Sequence, residues 1–314
     1  MLSRHAFAAV ETGLRFTAVA DGEPTVSGRI ARWAERSRAL GARVQEARTR
    51  HGSLDFGLGL VERDSEIGGA LLAGALAYRL FVLLLPTSLL LITGLGLYAG
   101  SVGESVSKAA HDAGLHGVIG SQVAETASGR HKLLVFLLMI PAIAYALAAL
   151  YRAIAKVHGL AWLGSARGAR TSARGIAFLG VALAVQLVAT EVVTLVSRTS
   201  ALEAALALLV YAAVVGAGWL AVSLELPHRD VGWTRLVPGA ALVGVGLFGV
   251  HIFNRYITTR IIEGRANTYG ALGIATALLF SLVLVGRLIV VSAELNAALD
   301  ERRTQRDAAL PDRG

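Results

Sequence analysis

Residues Thr268 to Leu299 read TYGALGIATALLFSLVLVGRLIVVSAELNAAL, and their reading decides the fold. The stretch from Leu272 to Val291 has Arg287 as its single charge. At about 1.5 Å per residue it covers about 30 Å, the thickness of a bilayer's hydrocarbon core. It predicts a transmembrane helix. Working back toward the N-terminus, five more apolar runs of similar length lie at about 80–99, 133–151, 175–196, 204–224 and 238–257. The chain is therefore expected to be all-α, a polytopic membrane bundle of six transmembrane helices over residues 67–293, preceded by a polar region 1–66 and followed by a polar tail 294–314.

Composition agrees with this reading. Of 314 residues 54% are hydrophobic and only 17% charged, and the mean hydropathy is +0.59, outside the range of ordinary soluble domains. A net charge of +8 would suggest nucleic acid in a soluble protein, but here the charges fall in loops and tails, where they set orientation, so no nucleic-acid partner is expected. The chain has no cysteine, which excludes disulfides, thiolate ligands and a cysteine nucleophile. His5, Glu11 and Arg15 interrupt the N-terminal apolar residues, so a cleaved signal peptide is not expected.

Between Val26 and Val44, the residues Val26, Ile30, Trp33, Ser37, Leu40 and Val44 recur every three or four positions, with Arg29, Arg32, Arg36 and Arg43 flanking them. This is a basic amphipathic helix suited either to anionic lipid headgroups or to packing on the protein's own loops. The first apolar run begins at Ile67 and is too long for one crossing, so the crossing is expected to start near Leu80, with Pro86 kinking it. The segment from Arg152 to Arg174 carries five basic residues, among them Arg167, Arg170 and Arg174, and no acid. It should face the cytoplasm and offers a second contact for anionic headgroups. Over the whole chain, 21 basic residues flank the spans on that side and 7 on the other, counting Arg255 with the fifth loop, so both termini are expected to be cytoplasmic.

Small residues recur at four-residue spacing in Gly69, Ala73 and Ala77, in Ala212 and Gly216, and in Ala240 and Gly244. Such ridges let helix backbones approach closely in lipid. Gly244, Gly246 and Gly249 formally satisfy GxGxxG, but the motif needs a strand before it and here lies inside an apolar run, so it too predicts helix packing. No cofactor is expected. The eight histidines form no HxH or HExxH pattern, which gives no metal site and no metal-assisted hydrolase. No nucleophile and base share a recognisable motif, so an enzyme is not expected.

Two sets of polar residues stand out within the spans. One comprises Gln186, Thr190 and Glu191 in the third span with His251, Asn254 and Arg255 in the fifth, all in the half expected to face outward. The other comprises Arg79, Glu225, Arg287, Glu294 and Asn296 in the inward half. A charge at a helix centre costs about 2.5 to 3.5 kcal/mol on insertion scales unless it is paired or meets water. Either Glu191 pairs with Arg255 or His251, and Arg79 or Arg287 with Glu294, or these side chains snorkel to the nearer surface.

With the spans placed, the chain resembles the YihY/BrkB family of bacterial inner-membrane proteins, historically called virulence factor BrkB. The likeness runs from about Ser53 to Leu299 and is carried by ALAYRLFVLLLP at Ala75 to Pro86 and by YGALG and AELNAAL within Tyr269 to Leu299. Arg79 departs from the commoner pattern, which has an aromatic or small residue after the tyrosine. The resemblance implies a six-span inner-membrane protein with cytoplasmic termini. Suggested roles for the family include envelope integrity and export of lipids or small molecules, and some members have carried a ribonuclease label that the histidine pattern here does not support. Transport or flipping of an amphipathic or anionic envelope molecule is the expected function, with a non-transporting envelope scaffold as the alternative. Membrane lipids are the expected partners, and the sequence leaves the oligomeric state open.

Overall fold

The computed structural model describes residues 35, 50, 52–102, 131–166, 172–196, 201–254 and 259–309. The arginines 29, 32, 36, 43, 167, 170 and 255 lie outside the described residues, and with them the expected N-terminal amphipathic helix. The chain divides into two compact units, Met1–Leu58 and Gly59–Gly314. Within the described residues of the first, the chain is helical from Gly52 onward.

Every regular element among the described residues is helical. Helix α1 spans Gly52–Ile67, α2 Gly69–Val102, α3 Lys132–Leu163, α4 Ala173–Val196, α5 Ala201–Leu224, α6 Val237–Phe253 and α7 Thr259–Ala309. A single 3-10 turn, Trp233–Arg235, leads into α6. Helices α2, α3, α4, α5 and α7 are long and apolar enough to cross a membrane. Helix α6 is the sixth apolar helix; its 17 residues reach about 25 Å, a shorter crossing.

Why helices and nothing else follows from the solvent. Hydrocarbon offers no hydrogen bonds to backbone N–H and C=O groups, so a spanning segment must satisfy its own, and the α-helix does this within one segment. Pro86 and Pro141 both sit inside uninterrupted helices. The outward faces are apolar as well: Leu71, Leu134, Tyr145, Leu209 and Val245 are all exposed, a pattern that suits lipid and would be an aggregation liability in water.

The six apolar helices form a closed ring. Each packs on its neighbour in sequence from α2 through α7, and α7 returns to pack on α2 and also touches α3. Small residues set how close the helices come. A Cβ on Gly244 would lie 2.3 Å from the Ala212 carbonyl oxygen, and one on Gly286 would lie 2.4 Å from that of Ala73. The expected ridges therefore mesh with each other, Ala240 and Gly244 of α6 against Ala212 and Gly216 of α5, while Ala73 on α2 receives α7. The GxGxxG glycines lie in α6; Gly244 and Gly246 serve packing, the latter with Leu288 of α7 against it, while Gly249 has open space beside it.

Two helices run further than the apolar runs suggest. Helix α3 continues twelve residues past Tyr151, because Ile154, Val157, Ala161 and Trp162 recur on one buried face while Arg152 and Lys156 stay exposed. It ends at Gly164, whose left-handed φ of 63° lets its N–H reach the last-turn carbonyls. Helix α7, 51 residues and about 76 Å long, carries the expected polar tail with it, and Ala293, Glu294, Asn296, Ala297 and Asp300 are buried rather than solvated. The densest part of the core lies at this end, where Trp162, Val222, Leu226, Leu236 and Ala297 belong to one cluster.

Replacing Gly244 or Gly286 by valine is expected to lower the melting temperature of the purified protein by several degrees, because the clash is with backbone that cannot move aside. Gly249→Ala in the same motif, with open space around it, should leave the midpoint unchanged, and thermal unfolding in detergent compares the three.

Candidate functional site

The turn between α1 and α2 builds the centre of the site. Gly68 adopts a positive φ of 69°, which ends α1 and turns the chain into α2. Asp64, one turn before it, is thereby laid over Gly69, where an added Cβ would stand 1.8 Å from its Oδ1. Arg287 of α7 reaches the same place and grips Asp64 through two parallel bonds, Nη1–H to Oδ1 and Nη2–H to Oδ2, each 2.6 Å. Bidentate charge-assisted pairs of this kind are among the strongest side-chain contacts.

Glu294 lies two turns further along α7, 1% exposed, and its Oε1 has no hydrogen-bond partner. The charged groups in its field are Asp64, Arg287 and Arg63. Arg63 itself is committed elsewhere: it donates to Glu301 at 2.7 Å and to the Ala161 carbonyl of α3. Glu301 also receives Arg229 at 3.5 Å, and Asp300 receives Arg235 at 3.1 Å. A belt of ion pairs thus ties α1, α3, α7 and the α5–α6 connection together around two central carboxylates.

The remaining inward residues do different work. Asn296 accepts the Gly239 N–H at 2.7 Å and donates to the Leu236 carbonyl at 3.1 Å. Leu236 is the cap residue of α6 and has no side chain able to satisfy that helix's first N–H groups, so Asn296 caps it from α7. Glu225 closes the end of α5: its carboxylate meets Arg174 at 3.1 Å, and its backbone carbonyl accepts the Tyr151 hydroxyl at 2.8 Å. Arg79 is exposed and makes no ion pair among the described residues. The expected couple of Arg287 with Glu294 is replaced by Arg287 with Asp64, and Arg79 takes no part.

In the half expected to face outward the structure brings Gln186 and His251 together around Tyr211. Gln186 Nε2 donates to the Tyr211 hydroxyl, and the Tyr211 ring stands 5.8 Å from that of His251. Thr190 hydrogen-bonds back to the Gln186 carbonyl at 2.8 Å, Glu191 is exposed, and Asn254 accepts from Ser281 at 2.6 Å. The pairing expected between Glu191 and Arg255 involves a residue outside the described set.

Two cavities adjoin these groups. A small one of about 70 Å³ is touched by all six apolar helices, and two buried polar atoms without partners belong to its walls, Gln186 Oε1 and Trp219 Nε1. It has room for about two water-sized molecules. A second, of about 730 Å³, is a groove between α4 and α5 lined by aliphatic side chains such as Val188, Leu206 and Val210, with Tyr211 on its wall and Glu203 at one end. Among the described residues no three metal-ligating side chains cluster.

Asp64, Arg63, Asp300, Glu301, Tyr211 and Trp219 were not among the expected site residues. For Asp64 and Arg63 a signal existed: a charged pair one turn before two consecutive glycines that open an apolar run.

A closed ring of six apolar helices, with half-buried ion pairs at one end and an apolar groove on its outer face, defines a multi-pass helical membrane protein. The chain belongs to the family described as virulence factor BrkB, whose model matches residues 60–314. Neither a curated protein nor a solved structure matches it.

Asp64→Asn is expected to destabilise the protein by about 1–3 kcal/mol, since the two short charge-assisted bonds that hold α1 on Arg287 are lost. Gly69→Ala should cost a similar amount by displacing the same carboxylate, and the two changes together should cost little more than either alone. Chemical denaturation of the single and double variants in mixed micelles measures this non-additivity.

Proposed function

We propose that the protein moves an envelope lipid, or another molecule with an acyl-like tail, between the leaflets of the bacterial inner membrane, with the α1 end in the cytoplasm. The observation that carries this reading is the groove between α4 and α5. From Glu203 to Val214 it follows α5 for about 16 Å, close to the hydrocarbon depth of one leaflet. Its volume lies in the range of small-ligand sites, and its walls are aliphatic, which suits a chain of methylenes. Val188, Val192, Leu206 and Val210 are exposed, so a lipid enters sideways from the bilayer.

The polar groups support the same reading. Tyr211 is shared between the groove and the Gln186 and His251 contacts, so a headgroup in the outward half meets hydrogen-bonding partners. At the other end the Asp64, Arg287 and Glu294 cluster holds α1 on α7 and serves as the gate. Alternating access in transporters uses such paired polar regions on the two halves of a bundle.

The scaffold reading has one observation in its favour. The groove and the inward cluster have no lining residue in common, and the chamber between the helices is small and almost wholly apolar. Transport therefore requires the ring to open during the cycle.

Reconstitution into liposomes with a fluorescent phospholipid tests the reading. Lipid crossing several-fold faster than in protein-free vesicles is expected, and Val210→Trp, which fills the groove from an exposed position, should slow it. Crossing no faster than in empty vesicles would remove transport and leave the scaffold.

A further inference from the structure

Asp64 and Glu294 bring two carboxylates to one guanidinium. Both oxygens of Asp64 are taken by Arg287, at 2.6 Å each. Glu294 lies on the same helix as Arg287, Asp64 is among the charges that act on it, and its Oε1 is buried with no partner. Arg63, the other cation in its field, is held by Glu301 and by the Ala161 carbonyl.

The remaining elements supply no neutralising charge. The titratable groups of α2, Tyr78, Arg79 and Tyr98, are exposed. On α3, Arg152 and Lys156 are exposed, the buried His158 turns Nδ1 to its own Ile154 carbonyl, and Tyr151 donates to the Glu225 carbonyl. On the α5–α6 connection Arg229 serves Glu301, Arg235 serves Asp300, and His228 turns Nδ1 to the Leu226 carbonyl. Four guanidiniums face four carboxylates here, but Arg63 and Arg229 both go to Glu301, and Glu294 is left without an ion pair. A buried carboxylate with an unpartnered oxygen, among neighbours such as Ala293 and Ala297, is disfavoured, and a small cation from solvent relieves it.

We propose that Asp64 and Glu294 form a binding site for one monovalent cation, a proton or Na⁺, shared between the two carboxylates. As a proton it forms an O–H bond on Glu294 and a hydrogen bond to Asp64; as Na⁺ it lies between their oxygens. A divalent ion would bring more charge than the one unpartnered carboxylate can offset beside Arg287. The bound cation removes the repulsion between the carboxylates and so keeps Arg287 on Asp64 and α1 on α7. When it leaves, Glu294 competes with Asp64 for Arg287, and the hold on α1 loosens. As the coupling ion of the gate, this site rests on the transport reading; as a cation site it stands independently.

The test uses the full-length protein in nanodiscs and follows thermal unfolding from about pH 5 to about pH 9 in choline chloride, then with Na⁺ replacing choline at the alkaline end. The sign follows from the site: bound cation stabilises the fold, so stability is present at low pH and lost as the proton leaves. The wild-type midpoint is expected to fall by about 3 °C or more across the range. Glu294→Gln should abolish that part of the pH dependence. Asp64→Asn carries the same test should that variant fail to fold, since either amide leaves one carboxylate for one guanidinium. Recovery with Na⁺ identifies sodium as an occupant, and no recovery identifies the proton alone. A wild-type midpoint indifferent to both pH and Na⁺, or a Glu294→Gln variant that keeps the wild-type slope, would overturn the site. Lipid crossing is measured separately, so a cation response without lipid movement removes transport and keeps the site, while the reverse result removes only the site.

Discussion

Contact between helix backbones is the constraint on which the rest of this structure depends. In lipid there is no hydrophobic gain in burying one apolar helix against another, so helices hold together by close packing and by polar contacts. Close packing needs positions without side chains. Gly286 on the Ala73 carbonyl joins the last helix to the first, and Gly244 on the Ala212 carbonyl joins the two helices opposite. These contacts close the ring. Where two helices meet backbone to backbone, large side chains are excluded and turn outward, and many leucines and valines are exposed.

At the α1 end the rule changes, and the stabilising contacts become ionic. There α3 and α7 extend beyond their apolar runs, and the fold pins them with Arg63 to Glu301, Arg235 to Asp300 and Arg287 to Asp64. Buried ion pairs give little net stability against a well-packed apolar alternative, yet breaking one strands a charge. They therefore specify an arrangement more than they strengthen it. Arg287 shows the difference: it lies in an apolar helix, and what fixes α1 above it is the fork of its guanidinium.

The ring was legible because its determinants are local. Apolar length gave the helices, and four-residue spacing of small residues gave the ridges, including the true role of the GxGxxG glycines. The extensions of α3 and α7 were harder to read, since Arg152, Lys156 and the polar residues after Leu299 obscure a buried stripe that continues beneath them. The partners of the charges were not legible at all. Arg287 and Asp64 are separated by 223 positions, and no spacing rule connects them. Asn296 is a similar case: as a polar residue near a span end it looked like part of a polar cluster, and its task of capping α6 is visible only once Leu236 and Gly239 are placed beside it.

The groove and the cluster lie in different halves of the bundle, and the small central cavity lies between the helices that carry them. Each of the six apolar helices contributes to that cavity, so no two of them can separate without changing it. Gln186 Oε1 and Trp219 Nε1 on its walls have no partner. A polar atom buried without a partner costs stability in a fixed structure, and the cost falls when the cavity widens enough to admit water. The closed ring therefore carries a built-in bias toward opening at its centre, while the meshed glycine ridges and the Asp64 to Arg287 pair oppose it. A change that loosens α1 at one end therefore shifts that balance for all six helices, including α4 and α5, which line the groove.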